Sequence, residues 1–451
     1  MRRHLSFAVT ASTFSFCLAL AGAACIAATP ASAHGFRVLH TFCKAGGSCS
    51  DGQNPSGGLV EDANGNLYGL TGFGGASTYG VAYELEHIAN SQYKYKIVYN
   101  FGAGNDSAEP GGELILDTAG NLYGTAAFGG SGNGGTVFEL VPNKRHDKWT
   151  EKILYNFCSQ QNCNDGGAPT GGLTYAGAAS GALYDGTSPL FGVTAGFGGE
   201  GGQAPSTAYE LQPGAGFQLL HTFTGAEGDG APAIGPLVAD ASGNLYGVTV
   251  QGGSDTTYAG VVYELSPAKN GYTETILHTF CPAYPCTDGS QPEGDMVMDA
   301  SGNLYGTTYY GGASCQVDGY IGCGVAFMLK PDGIHSKETV LHAFCSAKHC
   351  ADGVNPFGDL LMDAQGNIFG TTWLGGNKVG PYGQGTLFEL SGSSLQVLHK
   401  FCQQANCTDG VTPNGALIRD SKGRLFGTTI NGGAGQTQTY PGDGIVYELV
   451  P

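Results

Sequence analysis

Charged side chains are scarce in this chain. Asp, Glu, Lys and Arg make up only 12% of its 451 residues, against a usual quarter or so. Disorder is excluded all the same, because 41% of the chain is hydrophobic and 23 Tyr and 22 Phe are present. Basic residues are scarcer still. The 19 Lys and Arg face 37 Asp and Glu, a formal net charge of −18. An acidic surface repels phosphate backbones, which excludes nucleic acid as a partner. No segment keeps a 3.6-residue apolar period over three turns, which argues against a helical fold. After the N-terminal leader no run of 18 apolar residues occurs, so no membrane span is expected in the mature chain. A G-x-S-x-G elbow, an H-E-x-x-H pair and a phosphate-binding loop are all missing. We assign no catalytic residue, no metal and no cofactor from the sequence.

The first residues, Met1-Arg2-Arg3-His4, are basic. An apolar stretch runs to about residue 28, and Ala31-Ser32-Ala33 offers a small-x-small cleavage site. Residues 1–33 are expected to be a secretory signal peptide, with His34 the first mature residue. Thr10, Ser12, Thr13 and Ser15 interrupt the apolar run, which favours cleavage over anchoring. The destination is periplasmic or extracellular.

Glycine is in excess, at 78 residues. No Gly-X-Y period is present, so collagen is excluded. Short strands joined by tight turns are expected instead. One phrase recurs seven times. It appears as Asn66-Leu67-Tyr68-Gly69 and Asn121-Leu122-Tyr123-Gly124, then Leu190-Phe191-Gly192, then Asn244-Leu245-Tyr246-Gly247. Asn303-Leu304-Tyr305-Gly306, Asn367-Ile368-Phe369-Gly370 and Arg424-Leu425-Phe426-Gly427 complete the set. A Gly pair and a strand phrase such as Thr136-Val137-Phe138-Glu139-Leu140 follow. A further strand phrase ends on Phe42, Phe101, Phe157, Phe223, Phe280, Phe344 and Phe401, about 60 residues apart.

Each unit holds four strands, A to D. Seven such units predict an all-β fold, a seven-bladed β-propeller of four-stranded antiparallel blades filling residues 34–451 as one domain. An open β-solenoid is the competitor. The termini favour the ring: the mature chain starts with a D phrase, Phe36 to Phe42, and ends with a C phrase, Gly444 to Val450. Pairing the N-terminal strand with the C-terminal blade would close the wheel. In the third unit the A–B turn is replaced by the longer stretch Ala176 to Pro189.

The pattern D-x-x-G-N-L-Y-G-T-T-x-x-G-G followed by G-T-V-F-E-L closely resembles the Gloeo/Verruco (GloVer) tandem repeat. Asp299 to Gly312 and Asp363 to Gly376 show it best. The resemblance covers nearly all of the mature chain and implies a secreted or surface-anchored protein. It adds no catalytic residue. The turn phrase alone also looks like repeats of NHL-type propellers and of propeller lactonases and lyases.

Of the 14 Cys, Cys17 and Cys25 fall in the leader. The others form close pairs, Cys43/Cys49, Cys158/Cys163, Cys281/Cys286, Cys345/Cys350 and Cys402/Cys407, plus Cys315/Cys323. The first five follow the Phe of strand D, and the remaining units lack both partners together. In an oxidising compartment this pattern means disulfides rather than zinc. The same loops end in Asp-Gly, at Asp51, Asp165, Asp229, Asp288, Asp352 and Asp409. These carboxylates either ring the channel mouth, where they would bind a ligand or cation, or bond their own turns. Strand D carries His40, His221, His278, His342 and His399, with Tyr99 and Tyr155 in the same place. Packing, or a bond to the strand C glutamates Glu84, Glu139, Glu264 and Glu389, is expected for them. Phe73, Phe128, Phe197, Tyr309, Tyr310 and Trp373 lie where strand B enters the B–C loop. There they either pack between blades or stack on a ligand.

A secreted binding or scaffold module is the expected function. Its ligand would be a carbohydrate, another small molecule or a protein of the cell surface. The alternative is a propeller hydrolase or lyase of the lactonase or lyase type, with a polar site at the channel mouth.

Overall fold

In six of the repeats, an Asp closes the A–B turn by accepting bonds from the residues that follow it. Asp62 Oδ1 takes the Asn64 and Asn66 N–H groups at 2.8 and 2.9 Å, and its Oδ2 takes the Asn66 side chain at 2.9 Å. Asp117, Asp240, Asp299 and Asp363 repeat the pattern. In the last repeat Asp420 holds Arg424 Nε at 2.6 Å instead of an Asn. This Asx-type turn is why the Asp and Asn of the phrase sit four residues apart. The following Gly lies opposite a large aromatic on strand C. A Cβ on Gly69 would stand 2.4 Å from the Tyr83 hydroxyl, and one on Gly306 would stand 2.5 Å from the Phe327 ring. The ring folds flat over its neighbour, so only Gly fits.

The computed structural model describes residues 35–451, apart from 45–48, 90–91, 103, 179–180, 198–203, 227, 254–258, 270, 313–315, 318–319, 333–334, 377–382 and 434–441. The expected leader, residues 1–33, lies outside the described residues, as do His34 and Cys315.

Seven antiparallel sheets form the blades of a propeller. Blade 1 is Gln53–Glu61, Leu67–Phe73, Val81–Ala89 and Gln92–Asn100. Blade 2 is Ser107–Leu116, Leu122–Gly129, Thr136–Pro142 and Trp149–Asn156. Blade 3 has a short first strand, Thr174–Tyr175, then Leu190–Thr194, Ser206–Gln212 and Gly216–Phe223. Blade 4 is Ala233–Ala239, Leu245–Thr249, Val261–Ala268 and Gly271–Thr279. Blade 5 is Val297–Met298, Leu304–Thr308, Val325–Asp332 and His335–Ala343. In blade 6 the first strand is split into Val354–Pro356 and Leu361–Met362, followed by Ile368–Leu374, Thr386–Ser391 and Ser394–Lys400. Blade 7 takes Val411–Arg419, Leu425–Asn431 and Ile445–Val450 from the C-terminus and Gly35–Thr41 from the N-terminus. That last pairing runs from Gly35 opposite Val450 to Thr41 opposite Ile445, so the two ends zip the ring shut.

The apolar core lies between blades. Tyr68, Leu70 and Phe101 of blade 1 pack on Leu114, Leu122 and Phe138 of blade 2. Phe426 and Val446 of blade 7 pack on Leu59 and Tyr83 of blade 1, which carries the core across the closure. The long hairpin of blade 3 leans on its neighbour. Tyr184 is fully buried, bonds to the backbone beside Asp117 and meets Tyr123 edge-on at 5.0 Å. No helix among the described residues is long and apolar enough to cross a membrane.

Candidate functional site

Strand A is the innermost strand of every blade, and it is broken at the same place each time. The phrase Pro-x-Gly-x-Leu marks the break: Pro55 to Leu59, Pro110 to Leu114, Pro169 to Leu173, Pro356 to Leu360 and Pro413 to Leu417. Pro292 to Met296 ends on Met, and Ala233 to Leu237 replaces the Pro. The register slips there, for example between Ser56 and Val60 and between Gly111 and Ile115. Such a bulge turns one side chain away from the sheet. The Leu or Met after it is buried in the blade core. The residue before that one is Gly58, Glu113, Gly172, Pro236, Asp295, Asp359 and Ala416 in blades 1 to 7.

One segment from each blade lines an axial cavity of about 310 Å³. Glu113, Glu293, Asp295 and Asp359 line it, and no Lys, Arg or His does so among the described residues. Blade 2 stands across the axis from blades 5 and 6. Carboxylate oxygens of Glu113, Asp295 and Asp359 come within 4.8 Å of one another. The Asp295 N–H donates to Asp359 Oδ1 at 3.1 Å. Both side-chain oxygens of Asp295 are buried, and no N–H or hydroxyl donor among the described residues reaches them. Burial pushes the Glu113 carboxyl up to about 8, and the nearby Asp359 charge adds to it. Burial also pushes Glu293 up to about 7. Asp295 is raised well above the usual carboxylate range by burial and then by its two acidic neighbours.

The sequence analysis missed this constellation. Its signal was the recurring Pro-x-Gly-x-Leu phrase, with an acid at the variable fourth position in three repeats.

The face carrying the D–A and B–C loops surrounds the mouth. The two loop sets are tied together, since the second Gly of each described pair donates to the D–A loop. Gly75 and Gly376 bond the Cys49 and Cys350 carbonyls at 3.0 and 2.9 Å. Disulfides join Cys43–Cys49, Cys158–Cys163, Cys281–Cys286, Cys345–Cys350 and Cys402–Cys407 in these loops.

The sixth expected pair, Cys315/Cys323, differs from these five. Cys315 lies outside the described residues, and Cys323 is itself disulfide-bonded. Cys323 itself belongs to the B–C loop, just before strand C of blade 5, and not to a D–A loop. It is fully buried, packs with Phe344 and Val354, and its carbonyl accepts the Asn355 N–H at 2.9 Å. Its place is therefore the seam between blades 5 and 6 rather than an exposed loop.

The loop aspartates hold the D–A loops down. Asp352 accepts from the Ser346 and Ala347 N–H groups at 3.0 and 3.2 Å and sits 3.0 Å from His342 Nε2. Asp409 accepts from Gln403 and Gln404. Asp165 accepts from Ser159, Gln160 and the Tyr155 hydroxyl. Asp51 accepts from Cys43, Asp229 from Thr224 and Asp288 from Cys281. Burial alone would raise Asp352, but the bonds from His342 and Ser346 outweigh it and hold the carboxyl low.

The strand D histidines therefore meet these aspartates and not the strand C glutamates, which corrects the expected pairing. Register is the reason. In blade 6, His399 stands opposite Leu387, whereas Glu389 stands opposite Gln396. Glu84 and Glu139 receive the strand B hydroxyls of Tyr68 and Tyr123 instead. Tyr99 bonds Asp106 at 3.0 Å and Tyr155 bonds Asp165 at 2.9 Å, so Tyr and His do the same task.

The six aromatics separate into groups. Tyr309 and Trp373 join Phe357 of strand A in an edge-to-face chain, with ring centroids 5.9 and 5.1 Å apart, and Tyr310 meets Tyr309 at 4.7 Å. Phe357 also lines the axial cavity. Phe73 and Phe197 are each 44% exposed and stand apart from that chain. Phe128 lines a separate hollow of about 260 Å³ with Tyr79. Tyr284, inside a disulfide loop, is 69% exposed and was not singled out from the sequence.

Among the described residues, two further groups have metal-ligating side chains close together. His221, Asp229 and Glu274 meet at the rim between blades 3 and 4. Cys43, Cys49 and Asp443 also meet, but these Cys are joined to each other. A larger hollow, about 590 Å³, lies beside His40 and Asp51, away from the axis.

The fold is similar to that of an oligogalacturonate lyase from Vibrio parahaemolyticus, with 13% identity and a TM-score of 0.52 over 93% of this chain and 97% of that one. An α-L-arabinofuranosidase from Fusarium graminearum matches at 13% identity and a TM-score of 0.42 over 75% of this chain and 91% of that one. A protein of unknown function from Dyadobacter fermentans matches at 9% identity and a TM-score of 0.42 over 93% of this chain and 99% of that one. No curated protein shows significant sequence similarity. The Gloeobacter/Verrucomicrobia repeat model matches residues 22–199 and 185–441, and with the Asx turn, the strand B glycine and the paired loop glycines repeating around the ring, the chain belongs to that repeat family.

Proposed function

We propose that the protein is a secreted binding module that takes a polyhydroxylated ligand, a carbohydrate, on the loop face over blades 5 and 6. The observation that carries this is the aromatic chain Tyr309–Phe357–Trp373, which runs from the B–C loops to the lip of the acidic axial cavity. Flat rings beside hydrogen-bond acceptors suit a sugar's apolar face and hydroxyls. The acidic lining, without a base, favours neutral or amino sugars over uronates. Export is supported by the disulfides and by the leader-like first 33 residues.

Titration with neutral, amino-sugar and uronate oligosaccharides tests it. Trp373→Ala and Phe357→Ala are each expected to weaken sugar binding by about tenfold without changing the folded state. No binding by any oligosaccharide would overturn the proposal. A hydrolase or lyase at the same mouth is favoured by one observation, the Glu293 carboxyl near 7, a value suited to a general acid. Turnover in a lactone and oligosaccharide panel, lost in Glu293→Gln, would select that alternative.

A further inference from the structure

We propose that Glu113, Asp295 and Asp359 together hold one hard divalent cation, of the calcium class, on the propeller axis. Three observations converge on it. First, the three carboxylates come from opposite sides of the ring, yet their oxygens lie within 4.8 Å of one another. Glu113 has one methylene more than the two Asp, which lets a single blade reach across to a neighbouring pair. Ionised together they would repel one another, so the cluster keeps protons until a counter-charge joins it, and no basic side chain lines the cavity among the described residues. Secondly, Asp295 is only 6% exposed, no N–H or hydroxyl donor among the described residues reaches its oxygens, and the polar group beside them is the Asp359 carboxyl. A buried carboxylate with no donor costs several kilocalories unless something else satisfies it. Thirdly, glycines on the neighbouring blades leave room for the carboxylates to converge. A Cβ on Gly235 would stand 2.0 Å from Asp295 Oδ1, and one on Gly58 would stand 2.8 Å from Glu113 Oε1.

The donor set selects the metal. All the side-chain donors are oxygens, which suits calcium, magnesium or manganese and not a thiophilic metal. The cavity has room for water to complete the coordination shell. A cation here would tie blade 2 to blades 5 and 6 and brace the ring across its diameter. Affinity on the order of 10⁻⁴–10⁻³ M is expected, as in extracellular calcium modules. The inference is independent of the sugar proposal, since its probe is the metal alone.

The test uses the full mature chain stripped with a chelator and titrated with Ca²⁺, Mg²⁺ and Mn²⁺ by calorimetry and thermal unfolding. One Ca²⁺ per chain and a rise in Tm are expected. Glu113→Gln and Asp359→Asn should each weaken Ca²⁺ binding at least tenfold. Without metal, both variants should unfold at or above the temperature of stripped wild type, which separates lost binding from lost folding. Three outcomes would overturn the site. One is no binding of any of the three metals at up to about ten times the expected dissociation constant. Another is binding that survives both substitutions. The third is binding abolished by His221→Ala while Glu113→Gln leaves it intact.

Discussion

Two sets of buried carboxylates in this wheel have opposite fates. At the rim, Asp352 and Asp409 sit among loop N–H groups and a strand D His, and both are held below the usual carboxylate range despite burial. On the axis, Glu113, Asp295 and Asp359 have one another for company, and all three are raised. Burial pushes both sets up. The donors decide the outcome: at the rim several N–H and His bonds outweigh burial and keep the carboxylates charged, and on the axis nothing outweighs it. The rim set is part of the loop architecture. The axial set receives one such N–H among the described residues, from Asp295 to Asp359.

The largest effect that could break this comparison is at the rim. Asp409 is fully buried and accepts from two loop N–H groups. Asp409→Ala is expected to cost about 3 kcal/mol in denaturant unfolding, because those donors lose their acceptor inside the protein. A loss under about 1 kcal/mol would mean that the loop re-forms without it. Removing the Cys345–Cys350 bridge with a double Ser substitution should cost about 2 kcal/mol, visible in the same experiment.

The pH dependence sharpens the contrast through its sign. A raised carboxyl keeps its proton in the folded state after the unfolded chain has lost it. Without metal, the axial group therefore makes stability fall as pH rises from about 4.5, where Glu113 would titrate unfolded, to about 8. The effect is on the order of 1–2 kcal/mol, and Glu113→Gln should flatten the slope. The lowered rim groups act in the opposite direction. Their contribution is present above the ordinary Asp value of 3.8 and is lost as pH falls through the lower folded value. Unfolding curves from pH 3 to pH 9, read as pH-dependent Tm, would separate the two. If both regions lose stability in the same direction, the comparison fails. The smallest effect belongs to His342→Tyr. Tyr99 and Tyr155 already make the equivalent bond elsewhere, so a change under about 0.5 kcal/mol is expected.

Much of this was legible beforehand. The Asp-x-x-Gly-Asn phrase is a local hydrogen-bonding device, and a turn that closes on itself needs no knowledge of the rest of the chain. The five Cys pairs of the D–A loops close loops of a few residues and are local for the same reason. The burial of Cys323 between blades 5 and 6 is not local, and its spacing from Cys315 carried no sign of it. The ring closure followed from the order of strand phrases at the two ends. The histidine partner was misjudged because a one-residue slip in strand register moves a side chain to the other face, and a bulge at Val38/His40 shifts that register. The aromatics grouped by sequence divided because blades 5 and 6 bring their B–C loop rings against Phe357, whereas Phe73 and Phe197 come from other blades and stay exposed.

Sequence alone determined the number of blades, the strand order, the turns and the D–A loop disulfides, because each depends on residues a short distance apart or on simple repetition. The meeting of Glu113 with Asp295 and Asp359 was decided only by the tertiary structure. Their separation depends on the circumference of the closed ring, on the bulge that turns each side chain inward, and on the one extra methylene that lets a glutamate span the axis.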